Sequence, residues 1–153
     1  MKITIKTQLA LNHLRTGVIA HPTDTIYGLA CMANNPEAIK TLASLKHRDI
    51  KKGFILLASD IHYLLPFIDP NLAVNLLTKL STPTEIATTY LVPKSKNTSH
   101  LITGEHELLA VRITSNPLIS YFCENTGSAL ISTSANTQGG KVAASLIELK
   151  KYF

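Results

Sequence analysis

Asn116-Pro117-Leu118-Ile119-Ser120-Tyr121-Phe122-Cys123-Glu124-Asn125-Thr126-Gly127-Ser128-Ala129-Leu130-Ile131-Ser132-Thr133-Ser134-Ala135-Asn136 places a helix start, a helix stop, a strand and a polar strand end in succession. Asn at the N-cap followed by Pro is a helix opening, because the N–H that proline lacks has no helical partner at that position. Gly127 is suited to a left-handed C-terminal stop. The apolar run Ala129-Leu130-Ile131 then reads as a buried strand that delivers Ser132, Thr133, Ser134 and Asn136 to its carboxyl end.

The same alternation extends outward along the chain. Asn35-Pro36 and Asp69-Pro70 repeat the helix opening, and after Asn35 the apolar residues Ala38, Ile39, Leu42 and Leu45 keep helical spacing. Short runs rich in β-formers lie between: Val18-Ile19-Ala20, Phe54-Ile55-Leu56-Leu57, Tyr90-Leu91-Val92 and Leu109-Ala110-Val111. Strand-sized runs alternating with helices predict an α/β domain, a sheet covered by helices. Pro93 to Glu107 shows no pattern and is expected to be a surface loop.

Composition sets the bounds. The 153 residues are 45% hydrophobic, 16% charged and 6% aromatic, so residues 1–153 read as one domain with its own core and exclude a disordered chain. No uninterrupted apolar stretch is longer than that from Phe54 to Ala58, far below the ~20 residues of a membrane span. Met1-Lys2-Ile3-Thr4-Ile5-Lys6-Thr7 lacks a signal-peptide pattern, and Cys31 and Cys123 cannot form a disulfide framework, so the expected location is cytoplasmic with no membrane role. The net charge is +5. Its densest part is Lys46, Arg48, Lys51 and Lys52, offset by Asp49, at the end of the helix opened by Asn35. That cluster reads either as a solvated helix end or as a site for nucleotide phosphates or RNA backbone.

Chemistry in open α/β sheets collects beyond the carboxyl ends of strands. Two such segments, His21-Pro22-Thr23-Asp24-Thr25-Ile26-Tyr27-Gly28 and Ser132-Thr133-Ser134-Ala135-Asn136, offer hydroxyls, an amide and backbone N–H groups, which cradle anionic oxygens but also build ordinary turns. Gly139-Gly140-Lys141 is followed by Val142, so no Walker A loop is present, and the scattered histidines show no metal-ligand spacing. Cys31 and Cys123 read as core thiols.

Taken in order, His21-Pro22-Thr23-Asp24-Thr25-Ile26-Tyr27-Gly28-Leu29, Leu45-Lys46-His47-Arg48 ahead of Lys52-Gly53-Phe54-Ile55-Leu56, Leu109-Ala110-Val111-Arg112-Ile113, and Ser132-Thr133-Ser134-Ala135-Asn136 resemble the TsaC/YrdC family from about residue 8 onward. The resemblance implies a YrdC-type twisted mixed sheet flanked by helices around a large basic cleft. It implies a nucleotidyltransferase that forms threonylcarbamoyl-adenylate and pyrophosphate from L-threonine, bicarbonate or CO2, and ATP with Mg2+. The product serves tRNA threonylcarbamoyladenosine modification through partner proteins. Lys46 and Arg48 match a K-x-R motif and would be catalytic phosphate clamps; Lys52, Thr89, Ser134 and Asn136 would complete the ATP site; Thr25, Arg112 and Ser132 would bind threonine.

Three departures accompany the match. Ser81-Thr82-Pro83-Thr84-Glu85-Ile86-Ala87-Thr88-Thr89 stands where the family has an aromatic-Pro-Gly-Pro stretch, and Asp49 stands where it commonly has Pro. The family pattern also continues past the position of Phe153, so the chain reads as a short, carboxyl-terminally truncated member. Two other readings share the resemblance. One is an RNA-binding module of the same fold, holding tRNA or rRNA with little catalysis, with tRNA or double-stranded RNA as the partner; the other is a carbamoyl-adenylate domain like that of hydrogenase maturation proteins.

Overall fold

A computed structural model describes residues 5–23, 26–72, 74–81 and 86–153. Among the described residues six helices, α1 (Ile5–Leu14), α2 (Pro36–Leu45), α3 (Val74–Ser81), α4 (His100–Thr103), α5 (Pro117–Thr126) and α6 (Leu146–Tyr152), accompany six strands. The strands are β1 (Ile19–Pro22), β2 (Tyr27–Met32), β3 (Ile55–Ala58), β4 (Tyr90–Pro93), β5 (Leu108–Ile113) and β6 (Leu130–Ser134). They form one sheet in the order β1-β2-β6-β3-β5-β4. Only β3 and β5 run parallel, Ile55 opposite Ala110; the other neighbours are antiparallel. The expected α/β class holds, as a mixed sheet.

Register assigns the faces. Ser132, Ile55 and Ala110 lie opposite one another across β6, β3 and β5, as do Leu130, Leu57 and Arg112; Ser134, Gly28 and His21 continue the same face across β2 and β1. Side chains alternate along each strand, so Leu29, Cys31, Ile131, Leu56, Ala58, Leu109 and Val111 point the other way, all buried in the core. Each fully buried Leu or Val contributes roughly 1.5–3 kcal/mol. The polar residues of the strand ends are left on the opposite face.

The helix openings at Asn35 and Asn116 form as the sequence predicts. Asn35 Oδ1 accepts from Ala38 N at 3.1 Å, and Asn116 Oδ1 accepts from Leu118 N at 3.0 Å. Gly127 stops α5 with φ +66° and its N–H on Cys123 O. Asp69-Pro70 does not open a helix. Asp69 Oδ1 accepts from Asn71 N at 2.8 Å and its carbonyl from Leu72 N at 3.0 Å, a self-contained turn, and α3 begins only at Val74.

Pro93 to Glu107 is not wholly a surface loop. Ser99 caps α4, whose Leu101, Ile102 and Thr103 are buried. Four residues are too few for a helical period to show in sequence. Gly53 and Gly104, at φ +59° and +61°, hold the end of α4 against the turn at Ile50–Lys52, with Phe54 N donating to Ile102 O at 2.7 Å and Glu105 N to Lys51 O at 3.0 Å.

Candidate functional site

Lys46 owes its position to the way α2 ends. Arg48 N donates to Ala43 O and His47 N to Ser44 O, both at 2.9 Å, the double bond of a Schellman stop. His47 takes the left-handed position usually held by glycine, at φ +50°. The reversal turns Lys46 inward, leaving it 3% exposed, and starts Arg48 back toward Gly53. His47→Gly is expected to raise stability by about 0.5–1 kcal/mol, because an L side chain in this conformation costs ~1–2 kcal/mol, partly offset by the flexibility glycine adds to the unfolded chain. A lower urea midpoint for the variant would refute that account of the stop.

The buried ammonium of Lys46 donates to Ser134 O, to Asn136 O at 2.8 Å and to Asn136 Oδ1 at 3.1 Å. Ser134 Oγ donates to the same Oδ1 at 2.7 Å, and Asn136 Nδ2 donates to Gly140 O at 3.0 Å. The backbone is locked too: Ala135 N donates to Tyr27 O at 2.8 Å and Gln138 N to Lys46 O at 2.8 Å. Two motifs 88 residues apart are thus one structure. The three donors of Lys46 meet three carbonyl-type oxygens of the 134–136 loop, so in this state it braces the loop that carries Ser134 and Asn136. Burial, and then the Arg48 charge, lower its pKa to about 8.

Arg48 donates to Gly53 O through Nε at 3.1 Å and Nη2 at 2.9 Å and lies over the Phe54 ring at 5.3 Å. With exposed Lys52 it lines a cavity of about 450 Å3 whose walls include Ile55, Leu91 and Leu108. A second cavity, about 500 Å3, is lined by His21, Arg112, Ser132 and Ser134 among others. Ile55 lines both. The expected residues therefore divide: Arg48 and Lys52 on one side of Ile55, Arg112, Ser132 and Ser134 on the other, with Lys46 behind the loop.

Thr89 and Arg112, assigned to different ligands by the resemblance, touch. Thr89 Oγ1 accepts from Arg112 Nε at 3.2 Å and Nη2 at 3.1 Å, which fixes the guanidinium on the cavity wall. Thr25, with Asp24, lies outside the described residues. Its flanks close a turn, Thr23 N and Oγ1 donating to Ile26 O at 3.0 and 2.6 Å. His21, read from sequence only as part of the loop, is 3% exposed and reaches Ser132 Oγ with Nε2 at 3.4 Å. Cys31 and Cys123 are free and buried, and burial pushes the Cys31 thiol up to about 12, as inert core thiols require. Among the described residues no group of three or more His, Cys, Asp or Glu could hold a metal, and no helix is long and apolar enough to cross a membrane.

A mixed sheet that sets a hydroxyl-rich loop on a buried lysine, beside cavities bearing arginines, defines an α/β protein whose candidate site has the positive charge that suits anionic small ligands. The family model Sua5_yciO_yrdC, described as Telomere recombination, matches residues 13–153. The chain belongs to the Sua5/YciO/YrdC family. It is 39% identical to the threonylcarbamoyl-AMP synthase of Pseudoalteromonas atlantica over 149 residues, covering 94% of this chain and 77% of that one. It is 42% identical to the synthase of the same name from Haemophilus ducreyi over 137 residues, covering 89% and 74%. The structure of P. abyssi Sua5 complexed with L-threonine shares the fold, with a TM-score of 0.81 at 24% identity over 99% of this chain and 45% of that one.

Proposed function

We propose that this chain is a threonylcarbamoyl-AMP synthase, a nucleotidyltransferase that joins L-threonine, bicarbonate or CO2, and ATP into threonylcarbamoyl-adenylate, with pyrophosphate leaving. The observation that carries the reading is the bonding of Lys46 to the 134–136 loop, which unites the K-x-R and S-x-N residues beside the Arg112 and Ser132 cavity. The names of the relatives above agree with it and favour it over an RNA-binding module.

The chemistry asks mainly for positioning. The threonine amine attacks the one-carbon unit and loses a proton, with water leaving when that unit is bicarbonate; the resulting carbamate oxygen attacks the α-phosphorus as the bond from that phosphorus to the α–β bridging oxygen breaks and pyrophosphate departs. Holding reactants in line and neutralising the charge of the departing pyrophosphate supply most of such a rate. Asn136, which gives one Nδ2–H to Gly140 O, offers the other to the triphosphate, and Lys46 and the Ser134 hydroxyl hold its amide rigid. Arg48 and Lys52 offer positive charge from the adjoining cavity, Arg48 being suited to two-pronged phosphate contact. Arg112, oriented by Thr89, pairs with the threonine carboxylate, and Ser132 with its amine.

Magnesium fits as a companion of the nucleotide: Ser134 Oγ, whose proton goes to Asn136 Oδ1, keeps hard lone pairs that would hold it, and the metal's other usual partners are water and phosphate. When bound it neutralises phosphate charge. Transfer of the product to tRNA falls to partner proteins, and the work is placed in the cytoplasm.

The test is threonine-dependent pyrophosphate release by purified protein with bicarbonate and ATP–magnesium. Release well above a threonine-free blank is expected. Folded protein that gives none would overturn the reading.

A further inference from the structure

Among the described residues His21 is the one buried titratable side chain facing this site that the mechanism above leaves without work. Its ring wedges against Gly28, where an added Cβ would stand 2.7 Å from Nε2, so the glycine is what admits the imidazole to the sheet face. Nδ1 lies 3.2 Å from Pro22 O. A carbonyl can only accept, so Nδ1 carries the ring proton and Nε2 is left as an acceptor. The Ser132 hydroxyl, 3.4 Å from Nε2, is then the donor. Burial lowers the imidazole pKa, outweighing the opposite effect of the Pro22 contact, so the ring is neutral at neutral pH.

A hydroxyl has one proton and two lone pairs. With its proton committed to His21, Ser132 has only lone pairs to offer its half-buried side of the cavity. Arg112 stands on the same face, two strands away and two residues along by register. Strand geometry puts the two Cα atoms roughly 12 Å apart, a gap that a small α-amino acid and the two side chains bridge. One end of the gap is a cation and the other an acceptor, the complement of a carboxylate and an amine.

We propose that His21 is a positioning residue for the amino-acid substrate, turning the Ser132 oxygen into an obligate acceptor for the substrate's amine N–H. The proposal rests on the synthase reading for the identity of the substrate. A hydroxyl free to rotate could donate to water or to a carboxylate in the wrong orientation; one held by His21 cannot.

The test is a double-mutant cycle read by calorimetric binding of L-threonine and by KM. His21→Leu and Ser132→Ala should each weaken threonine about tenfold, the scale of one hydrogen bond, and ATP affinity should stay within about twofold. The double variant should be no worse than Ser132→Ala alone, because both changes remove one interaction. His21→Gln, which keeps an acceptor near the Nε2 position, should recover most of the loss and serves also if the leucine variant fails to fold. Additive losses, or full threonine affinity in His21→Leu, would overturn the proposal while leaving the synthase reading intact. Wild-type protein that binds no threonine would overturn both. Nitrogen NMR of the unliganded wild type gives an answer independent of substrate: an unprotonated Nε2 is expected, and an Nε2–H tautomer refutes the inference.

Discussion

Lys46→Met will weaken ATP–magnesium binding by about 1.5–3 kcal/mol, roughly 10- to 150-fold, the range for losing hydrogen bonds to a charged group. Methionine keeps the length and apolar stem of the side chain but none of its three donors. Ser134 O, Asn136 O and Asn136 Oδ1 lose a shared anchor, and the loop that aims Ser134 and Asn136 at phosphate is no longer set. Calorimetric titration of the variant measures the loss, and unchanged affinity would show that the brace has no bearing on the nucleotide.

The same lysine carries a pH signature. Its pKa in the folded chain is about 8 against an ordinary 10.5, so nucleotide affinity should fall as pH rises through about 8, with that inflection absent in Lys46→Met. Stability should move the other way. Between about pH 8 and 10.5 the unfolded chain holds a proton on Lys46 that the folded chain has released, so this group's contribution to stability rises with pH across that window. Urea midpoints that fall over the window, relative to the methionine variant, would contradict the assignment.

Gly104→Ala should cost about 3–5 kcal/mol of stability. The residue sits at φ +61°, ψ −135°, a conformation that L side chains rarely enter and that costs of order 1–3 kcal/mol. The added Cβ would also meet Lys51 O at 2.0 Å and Gly53 N at 2.6 Å. Both obstacles are backbone, so relief requires the turn at 50–53 to move, with the 1–3 kcal/mol typical of overpacking added. That turn supplies Gly53 O to Arg48, so the variant should lose nucleotide affinity along with stability. A urea midpoint near wild type would mean that the two segments part without cost.

These two positions differ in how far sequence reaches them. Lys46 stands out in the chain as part of a basic cluster and of a motif, but its partners do not. That its ammonium turns inward follows from the Schellman stop with His47 in the left-handed position, and no local pattern marks a histidine for that role. Gly104 lies in a stretch whose sequence shows no period, because α4 is held by backbone contacts with residues about a third of the chain away. Strand β2 was missed at the join of two patterns: Tyr27 and Gly28 close the polar segment from His21, and the apolar run Leu29-Ala30-Cys31-Met32 that follows does not alternate, since it lies between two strands with its central residues buried on both faces. Helix α6 did carry a local signal, the Ser145 and Glu148 capping box, with Ser145 Oγ accepting from Glu148 N and Glu148 Oε2 from Ser145 N, both at 3.2 Å.

What the chain determines through short-range rules is the α/β class, the helix openings at Asn35 and Asn116, the stop at Gly127, and the residue types at the two strand ends. Caps, stops and apolar runs act within a few residues, so they are written in order along the chain. Tertiary structure alone decides that β2 joins β6, that Lys46 spends its protons on the 134–136 loop, that Thr89 orients Arg112, and that His21 meets Ser132. Those pairings depend on register between strands far apart in sequence, and a hydrogen bond's direction is settled only when both partners are in place.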